Sequence, residues 1–306
     1  MKITFLGTGA GIPSKERNVT SILLDLTQEK NKLWLFDCGE ATQHQILHTS
    51  IKPRKINKIF ITHLHGDHIF GLPGMLSSRS FLGGTEPLTV YGPKGIKQYI
   101  ETSLEISQSH LSYPIHFVEL ETCGNVFEEN DFIVDCVLLD HNIKSLGFRI
   151  KEKDKLGELN VRKLQELGIP PGPIYSKIKQ QKQTVLEDGR VIDRNDVVGE
   201  PKKGRVISIF GDTRYIPKHA SFINGSNVLI HEATFDASKL DLANSYFHCT
   251  TEQTAEFAKK GNVQTLILTH ISSRYQQEDK DQLLQEAKCI FPDTMLAYDF
   301  FTYEVK

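Results

Sequence analysis

The stretch Thr62-His63-Leu64-His65-Gly66-Asp67-His68 places four metal-capable side chains within six positions. Imidazole and carboxylate donors without thiolates suit Zn²⁺, with Mn²⁺ as the alternative ion. Just before it, Lys58-Ile59-Phe60-Ile61 is apolar and β-branched and reads as a buried strand. Just after it, Ile69 to Ser80 reads as a turn entering a helix. The candidate ligands therefore sit on a loop at a strand end. His63 and His65 alternate, so both point the same way while the backbone stays extended. Asp67 and His68 follow as the chain turns and face a second point nearby. That layout suits two ions side by side. Two ions ~3.5–4 Å apart share a hydroxide, lower its pKa and clamp a phosphodiester for in-line attack. A solvated histidine-rich turn is the bland alternative, but it explains a lone histidine better than this spacing after a buried strand.

The same arrangement recurs along the chain. Phe132 to Leu139 is a strand ending in Asp140-His141, and Arg205 to Phe210 ends in Gly211-Asp212-Thr213. Asn227 to Ile230 ends in His231-Glu232, and Thr265 to Thr269 ends in His270. With His63 this makes five apolar runs ending in a histidine or aspartate, which predicts that these strand ends converge on a shared sheet edge. His44 and His48 lie at i and i+4 on a helix expected over Ala41 to Thr49, but no strand end points at them, so surface or support roles are expected.

The remaining elements supply the scaffold. Lys2 to Leu6 reads as a strand, followed by a tight turn at Gly7-Thr8-Gly9-Ala10-Gly11; the dinucleotide spacing G-x-G-x-x-G fails because position 12 is Ile. Ser21 to Leu26 and Lys32 to Phe36 read as a hairpin, with Asp37 at its end. Leu88 to Pro93 is a strand and turn, and Gly147 to Ile150 is a strand. Ile96 to Ile106, Glu252 to Lys260 and Gln282 to Ile290 read as helices, and Ala297 to Tyr303 as the last strand. Hydrophobic residues at 39% provide a substantial core, and no apolar run approaches the ~18 residues of a membrane span. The N-terminus does not read as a signal peptide. Five cysteines, at 38, 123, 136, 249 and 289, include no C-x-x-C pair, which predicts reduced thiols in a cytoplasmic protein.

One segment departs in composition. Residues 151–205 carry 13 Lys/Arg against nine Asp/Glu, an excess of four positive charges. The whole chain carries −2, so the remainder carries −6. The cluster Gly168-Ile169-Pro170-Pro171-Gly172-Pro173 cannot be regular helix or a central strand. Tyr175 to Lys182 follows with three lysines and no acid. This predicts a basic insertion, about 151–201, projecting from a single domain that spans 1–306; a solvated linker is the bland alternative.

The H-x-H-x-D-H stretch resembles the signature of the metallo-β-lactamase superfamily. Within it, Ile3 to Phe300 resembles the ribonuclease Z family, tRNA 3′-processing endonucleases, in its short bacterial form. The resemblance implies an α/β fold, the αββα sandwich with a projecting basic arm. It implies two Zn²⁺ per chain, one held by His63, His65 and His141, the other by Asp67, His68 and His270, with Asp212 bridging. Asp37 would support the metal loop without ligating. His231-Glu232-Ala233-Thr234 resembles the family's H-E-A-T motif. His248 falls in its histidine-serine-threonine motif, where Cys249 replaces the serine. The implied reaction removes the 3′ trailer from precursor tRNA by attack of a metal-bridging hydroxide, leaving a 3′-hydroxyl on the tRNA. Asp67 would orient or deprotonate the water, His248 would serve the leaving oxygen, and Glu232 would orient His248. Pro13-Ser14-Lys15-Glu16-Arg17-Asn18 looks like the family loop that contacts the acceptor end, through Lys15, Arg17 and Asn18. Gly172, Pro173, Lys177, Lys179 and Lys182 would belong to the arm that grips the tRNA elbow. Ala297-Tyr298-Asp299-Phe300 resembles a further loop beside the site, and a homodimer is implied. Two rivals remain: a phosphodiesterase of the same fold acting on small substrates, and an inactive RNA-binding protein.

Overall fold

The computed structural model describes residues 1–306, the side chain of Gln277 excepted. The chain forms two compact units, one of Met1–Glu129, Ile133–Ile150 and Val206–Lys306, the other of Asn130–Phe132 and Lys151–Arg205.

The first unit is built on two seven-stranded sheets. The first sheet runs Thr302–Glu304, Lys2–Gly7, Ser21–Leu26, Lys32–Phe36, Ile56–Phe60, Leu88–Gly92, Ile115–Glu119. The second runs Thr294–Leu296, Thr265–Thr269, Val228–Glu232, Val206–Phe210, Leu146–Glu152, Phe132–Leu138, Gly124–Glu128. Period-2 alternation sorts each strand's residues between two layers. In Lys32–Phe36, Leu33 and Leu35 join the cluster that includes Ile46, Leu72, Leu76, Ile96 and Ile100 of the covering helices. Trp34 and Phe36 point the other way, and Phe36 stacks on Phe60 at 4.7 Å while Phe148 of the second sheet meets Phe60 edge-on at 5.4 Å. Leu229, Leu266 and Leu268 of the second sheet pack against Ala255, Phe257, Leu283 and Ala287 of the helices Thr251–Lys260 and Lys280–Ile290. Helices thus cover the outer faces of two packed sheets, the αββα sandwich expected from the resemblance.

Parallel pairing fixes where chemistry can be mounted. Ile56–Phe60 runs parallel to both of its neighbours, and Val206–Phe210, Val228–Glu232, Thr265–Thr269 and Thr294–Leu296 are parallel in sequence. Within each sheet their carboxyl ends therefore share an edge, where loops are free to carry function.

The end of the chain differs from expectation. Ala297 to Tyr303 is not one strand. Thr294–Leu296 pairs in the second sheet, Thr302–Glu304 pairs in the first, and Phe300 takes a left-handed φ of 69° in the loop between them. A run of strand-forming residues cannot report that the chain changes sheets midway. No helix of the described residues is long and apolar enough to cross a membrane.

The second unit has its own small core of Leu164, Ile169, Ile178, Ile192 and Val197. It consists of the helices Val161–Glu166 and Ile174–Gln180, the hairpin Gln183–Val185 with Val191–Asp193, and the helical turn Arg194–Val197. Asn160 caps the first helix, and Gly168, with φ 74°, turns the chain after it. Glu152 accepts bonds from Arg205 Nε at 2.8 Å and Nη2 at 3.0 Å, and pairs with Lys155. Burial works to raise the Glu152 carboxyl, but Arg205 and Lys155 hold it down at about 2.

Candidate active site

The strand Ile56–Phe60 delivers His63 and His65, after which the turn Gly66–Ile69 carries Asp67 and His68. The chain beyond Phe132–Leu138 supplies His141, Val206–Phe210 leads to Asp212, and Thr265–Thr269 leads to His270. His270 sits at a left-handed φ of 56°, which swings the side chain off the strand axis. Backbone packs tightly under the loop: a Cβ on Gly39 would meet the Asp67 carbonyl oxygen at 2.4 Å.

Seven side chains meet as two groups, His63, His65 and His141, and Asp67, His68, Asp212 and His270, and a third group of Glu232, His248 and His270 adjoins them through His270. His65 Nδ1 lies 3.2 Å from His141 Nε2, and His68 Nε2 lies 3.4 Å from His270 Nε2. Asp212 Oδ2 stands between the groups, 3.6 Å from His63 Nε2, 3.6 Å from His68 Nε2 and 3.3 Å from His270 Nε2. Asp67 Oδ2 lies 3.4 Å from His68 Nε2 and 3.3 Å from His270 Nε2, and accepts the Gly11 N–H at 2.8 Å.

Four of the imidazoles are aimed by a bond at their far nitrogen, as metal-binding histidines require. His68 Nδ1–H donates to Asp37 Oδ2 at 2.8 Å, and His141 Nδ1–H donates to the Phe247 carbonyl at 3.0 Å. Thr62 Oγ1 donates to Asp37 and so accepts from His63 Nδ1, 3.0 Å away. Thr234 Oγ1 donates to Glu232 and so accepts from His270 Nδ1, also at 3.0 Å. Asp37 therefore supports the loop without joining the cluster. Buried His63 Nε2 has no hydrogen-bond partner among the described residues, which is costly for a polar atom unless an ion takes its lone pair. The donor set fits divalent ions that accept nitrogen and oxygen ligands.

In the group of His63, His65 and His141 the electrostatics agree with the geometry. Burial and its histidine neighbours hold the His63 imidazole well below its ordinary range, and burial lowers His65 and His141. Neutral imidazole is the ligating form. Burial works to raise the Asp212 and Asp67 carboxyls, but the surrounding histidines overcome it and hold both far below the usual range. Burial opposes charge on His68 as well, yet Asp212, Asp67 and Asp37 push it well up.

Beside the cluster, His248 Nδ1–H donates to Glu232 Oε1 at 2.9 Å. Glu232 is itself held by the Thr213 and Cys249 N–H groups and the Thr234 hydroxyl. Burial would lower His248, but Glu232 lifts it to about 9. Cys249 is buried and its Sγ donates to the Thr213 carbonyl at 3.1 Å.

Two expectations need correction, for His231 and for Arg17. His231 does not converge with the others: its ring lies among Phe210 and Phe257, and Nδ1–H donates to the Glu232 carbonyl at 2.8 Å. Alternation sends Glu232 to the cleft and His231 to the helix side. Arg17 is buried, with Nη1 donating to Thr8 Oγ1 and the Ala297 carbonyl, both at 2.7 Å, and is not presented to solvent. Asn18 is half-buried, its Nδ2 donating to the Glu40 carbonyl and its N–H to Asp299, and Lys15 is exposed. Gly172, Pro173, Lys177 and Lys182 are exposed, and Lys179 is partly so. His44 and His48 sit exposed on Thr42–Leu47 and its C-cap, away from the ligands.

A cavity of 330 Å³ opens over the cluster. Besides the expected residues, Phe235, Tyr246, Ser272 and Arg274 line it. The only advance signal for Arg274 is a cation four positions after a strand-end histidine. A larger cavity of 520 Å³, lined by Leu47, Ile51 and Leu82, contains none of the clustered side chains. Size alone therefore does not mark the site.

Two sheets in an αββα sandwich, with a histidine–aspartate cluster on the shared strand edge, define a metallo-β-lactamase-fold hydrolase. Relatives agree along the full chain. Ribonuclease Z of Oceanobacillus iheyensis is 58% identical over 306 residues, covering 100% of both chains, and ribonuclease Z of Bacillus licheniformis is 55% identical, covering 100% of this chain and 99% of its own. The crystal structure of human tRNase Z, short form, superimposes with a TM-score of 0.72 at 28% identity, covering 100% of both chains. A diphosphatase of the PhnP family shares the fold alone, with a TM-score of 0.65 at 17% identity, covering 100% of this chain and 98% of its own. Residues 1–153 match the family described as anti-Pycsar protein Apyc1. The chain belongs to the ribonuclease Z family, the tRNA 3′ endonucleases of this fold.

Proposed function

We propose that the chain cuts the 3′ trailer from precursor tRNA and leaves a 3′-hydroxyl on the tRNA, using two Zn²⁺ ions, with Mn²⁺ as the alternative. The observation that carries this reading is the convergence of seven ligand side chains, with four imidazoles aimed from behind and His63 Nε2 left unpartnered. His63, His65 and His141 would hold one ion, Asp67, His68 and His270 the other, and Asp212 both. When bound, such ions supply an activated water and neutralise charge on the phosphodiester.

The chain's own residues do the rest. Asp67, ionised and fixed by the Gly11 N–H, orients the attacking water through its free lone pairs. His248, protonated by virtue of Glu232, offers the Nε2 proton to the leaving 3′-oxygen. Glu232 fixes the tautomer and stabilises the charged ring. Substrate grip is assigned to Lys15 and to Gly172, Pro173, Lys177, Lys179 and Lys182, which contact phosphates and shape. Arg17 and Asn18 act by holding the loop that bears Lys15. The protein acts in the cytoplasm as a homodimer, a reading supported by the family resemblance.

Metal analysis of loaded protein, paired with cleavage of an end-labelled precursor tRNA, tests this. Two ions per chain and a single cut yielding a 3′-hydroxyl are expected. One ion or none at full loading, or an uncut precursor, would overturn it.

A further inference from the structure

The cavity wall facing the substrate carries the carboxylates of Asp67 and Asp212, and its rim carries one Lys or Arg, Arg274. A polynucleotide brings further phosphates beside the scissile one, and the cation at the rim is placed to meet one of them. That cation is Arg274. Its guanidinium lies 4.9 Å from the Phe235 ring centroid, and Nε donates to Ser272 Oγ at 3.2 Å. Phe235 is buried, and its ring lies 6.1 Å from that of His248, so one ring separates the cation from the leaving-group proton. No carboxylate of the described residues pairs with Arg274. Arg214 makes the contrast: it also stacks on an aromatic ring, Phe247 at 4.0 Å, but Asp140 neutralises it at 3.1 Å.

Tyr246 ends the helix Leu240–Tyr246 and lines the same cavity with 61% of its surface exposed. Phe247 then turns the chain at a left-handed φ of 61°, which carries it into His248. An exposed aromatic face two residues from His248 offers what an unpaired base stacks on.

We propose that Arg274 and Tyr246 form a nucleotide subsite at the rim of the cleft, Arg274 binding the phosphodiester next to the scissile one and Tyr246 stacking on the adjoining base. The inference rests on the precursor-tRNA reading above.

The test measures kcat/KM on labelled precursor tRNA across a potassium chloride series, for wild type, Arg274→Ala, Arg274→Lys, Tyr246→Ala and Tyr246→Phe. It adds two substrates in which one or the other phosphate flanking the cleavage site is a neutral methylphosphonate. Arg274→Ala should lower kcat/KM about tenfold at low salt and flatten the salt slope by about 0.7, as expected when the protein neutralises one phosphate fewer on a single strand. Arg274→Lys should restore the slope. For wild type, one methylphosphonate position should cost as much as the alanine variant does, with no further loss in that variant. Tyr246→Ala should lower kcat/KM about tenfold with the slope unchanged, and Tyr246→Phe should retain it. The methylphosphonate arm needs no variant to fold. Loss from both neutral substrates that is equal in wild type and Arg274→Ala, with an unchanged salt slope, would overturn the phosphate contact. A fall in Tyr246→Phe as deep as in Tyr246→Ala would overturn the stacking contact. Wild-type protein that leaves precursor tRNA uncut overturns the underlying reading and this inference with it, a result seen before any variant is made.

Discussion

The cleft and the unit formed by residues 151–205 handle charge in opposite ways. In the cleft, Asp37, Asp212, Glu232, His63, His68 and His270 are buried, and each leans on another polar group. Thr62, Thr234 and Asp37 carry no chemistry themselves but aim the groups that do. In the 151–205 unit, Lys177 and Lys182 are exposed and pair with no carboxylate among the described residues, above a core of five buried side chains. A buried network is cooperative, because an unmatched polar group inside costs more than a hydrogen bond gains. Exposed cations act through screened fields and add nearly independently. The cleft should therefore fail all at once and the basic unit by degrees.

The sharpest break of the cleft is Asp67→Ala. It removes the acceptor of the Gly11 N–H and a carboxylate shared with His68 and His270. Cleavage of precursor tRNA should drop by about 10³-fold or more while tRNA binding stays nearly intact. Parallel loss of both, in single-turnover and filter-binding assays, would place Asp67 in the scaffold instead. His248→Ala should slow the chemical step by ~10²–10⁴-fold with metal content unchanged, because the proposed reading gives it a proton to move and no ion to hold. Loss of metal from that variant, measured by emission spectrometry, would contradict the assignment.

Deleting residues 151–201 and joining the ends with a short turn tests the other side. The seven proposed ligands lie outside this segment, so metal content should be unchanged. Affinity for tRNA should fall on the order of 10²-fold and its salt dependence should flatten. Hydrolysis of a small chromogenic phosphodiester should persist at its original rate. A shortened protein that still cuts precursor tRNA at full efficiency would make the segment passive and favour a small-substrate phosphodiesterase.

The smallest effect concerns Glu152, held at about 2 by Arg205 and Lys155. Its folded pKa lies below the ordinary carboxylate value, so its stabilising contribution is complete above about pH 4.5. That contribution is lost as pH falls toward 2. Amide exchange in 151–205 should quicken over that window in wild type, and Glu152→Gln should remove the pH dependence. The cleft amides serve as the control.

Much of the site was legible because it is local. His63, His65, Asp67 and His68 lie on one loop after one apolar strand, and spacing plus strand alternation puts them together before any fold is known. His141, Asp212 and His270 were legible in a weaker way, as polar residues ending apolar runs. The helices read at Ile96 to Ile106 and Glu252 to Lys260 followed from residue patterns that act within a few turns, and the second begins one residue earlier, at Thr251.

What only the tertiary structure decided is which side of an element meets the site. His231 and Glu232 are neighbours on one strand, and alternation requires them to face opposite ways, but nothing local says which way is inward. Packing of the helix Thr251–Lys260 on one face settles it: His231 lies against Phe257, and Glu232 reaches His248. Arg17 looked like a surface cation until the loop before Phe300 folded over it. Arg274 acquires its place from Phe235, Ser272 and a cavity assembled from strands far apart in sequence. A single chain segment encodes its own period and polarity, whereas burial is a property of what the rest of the chain brings against it.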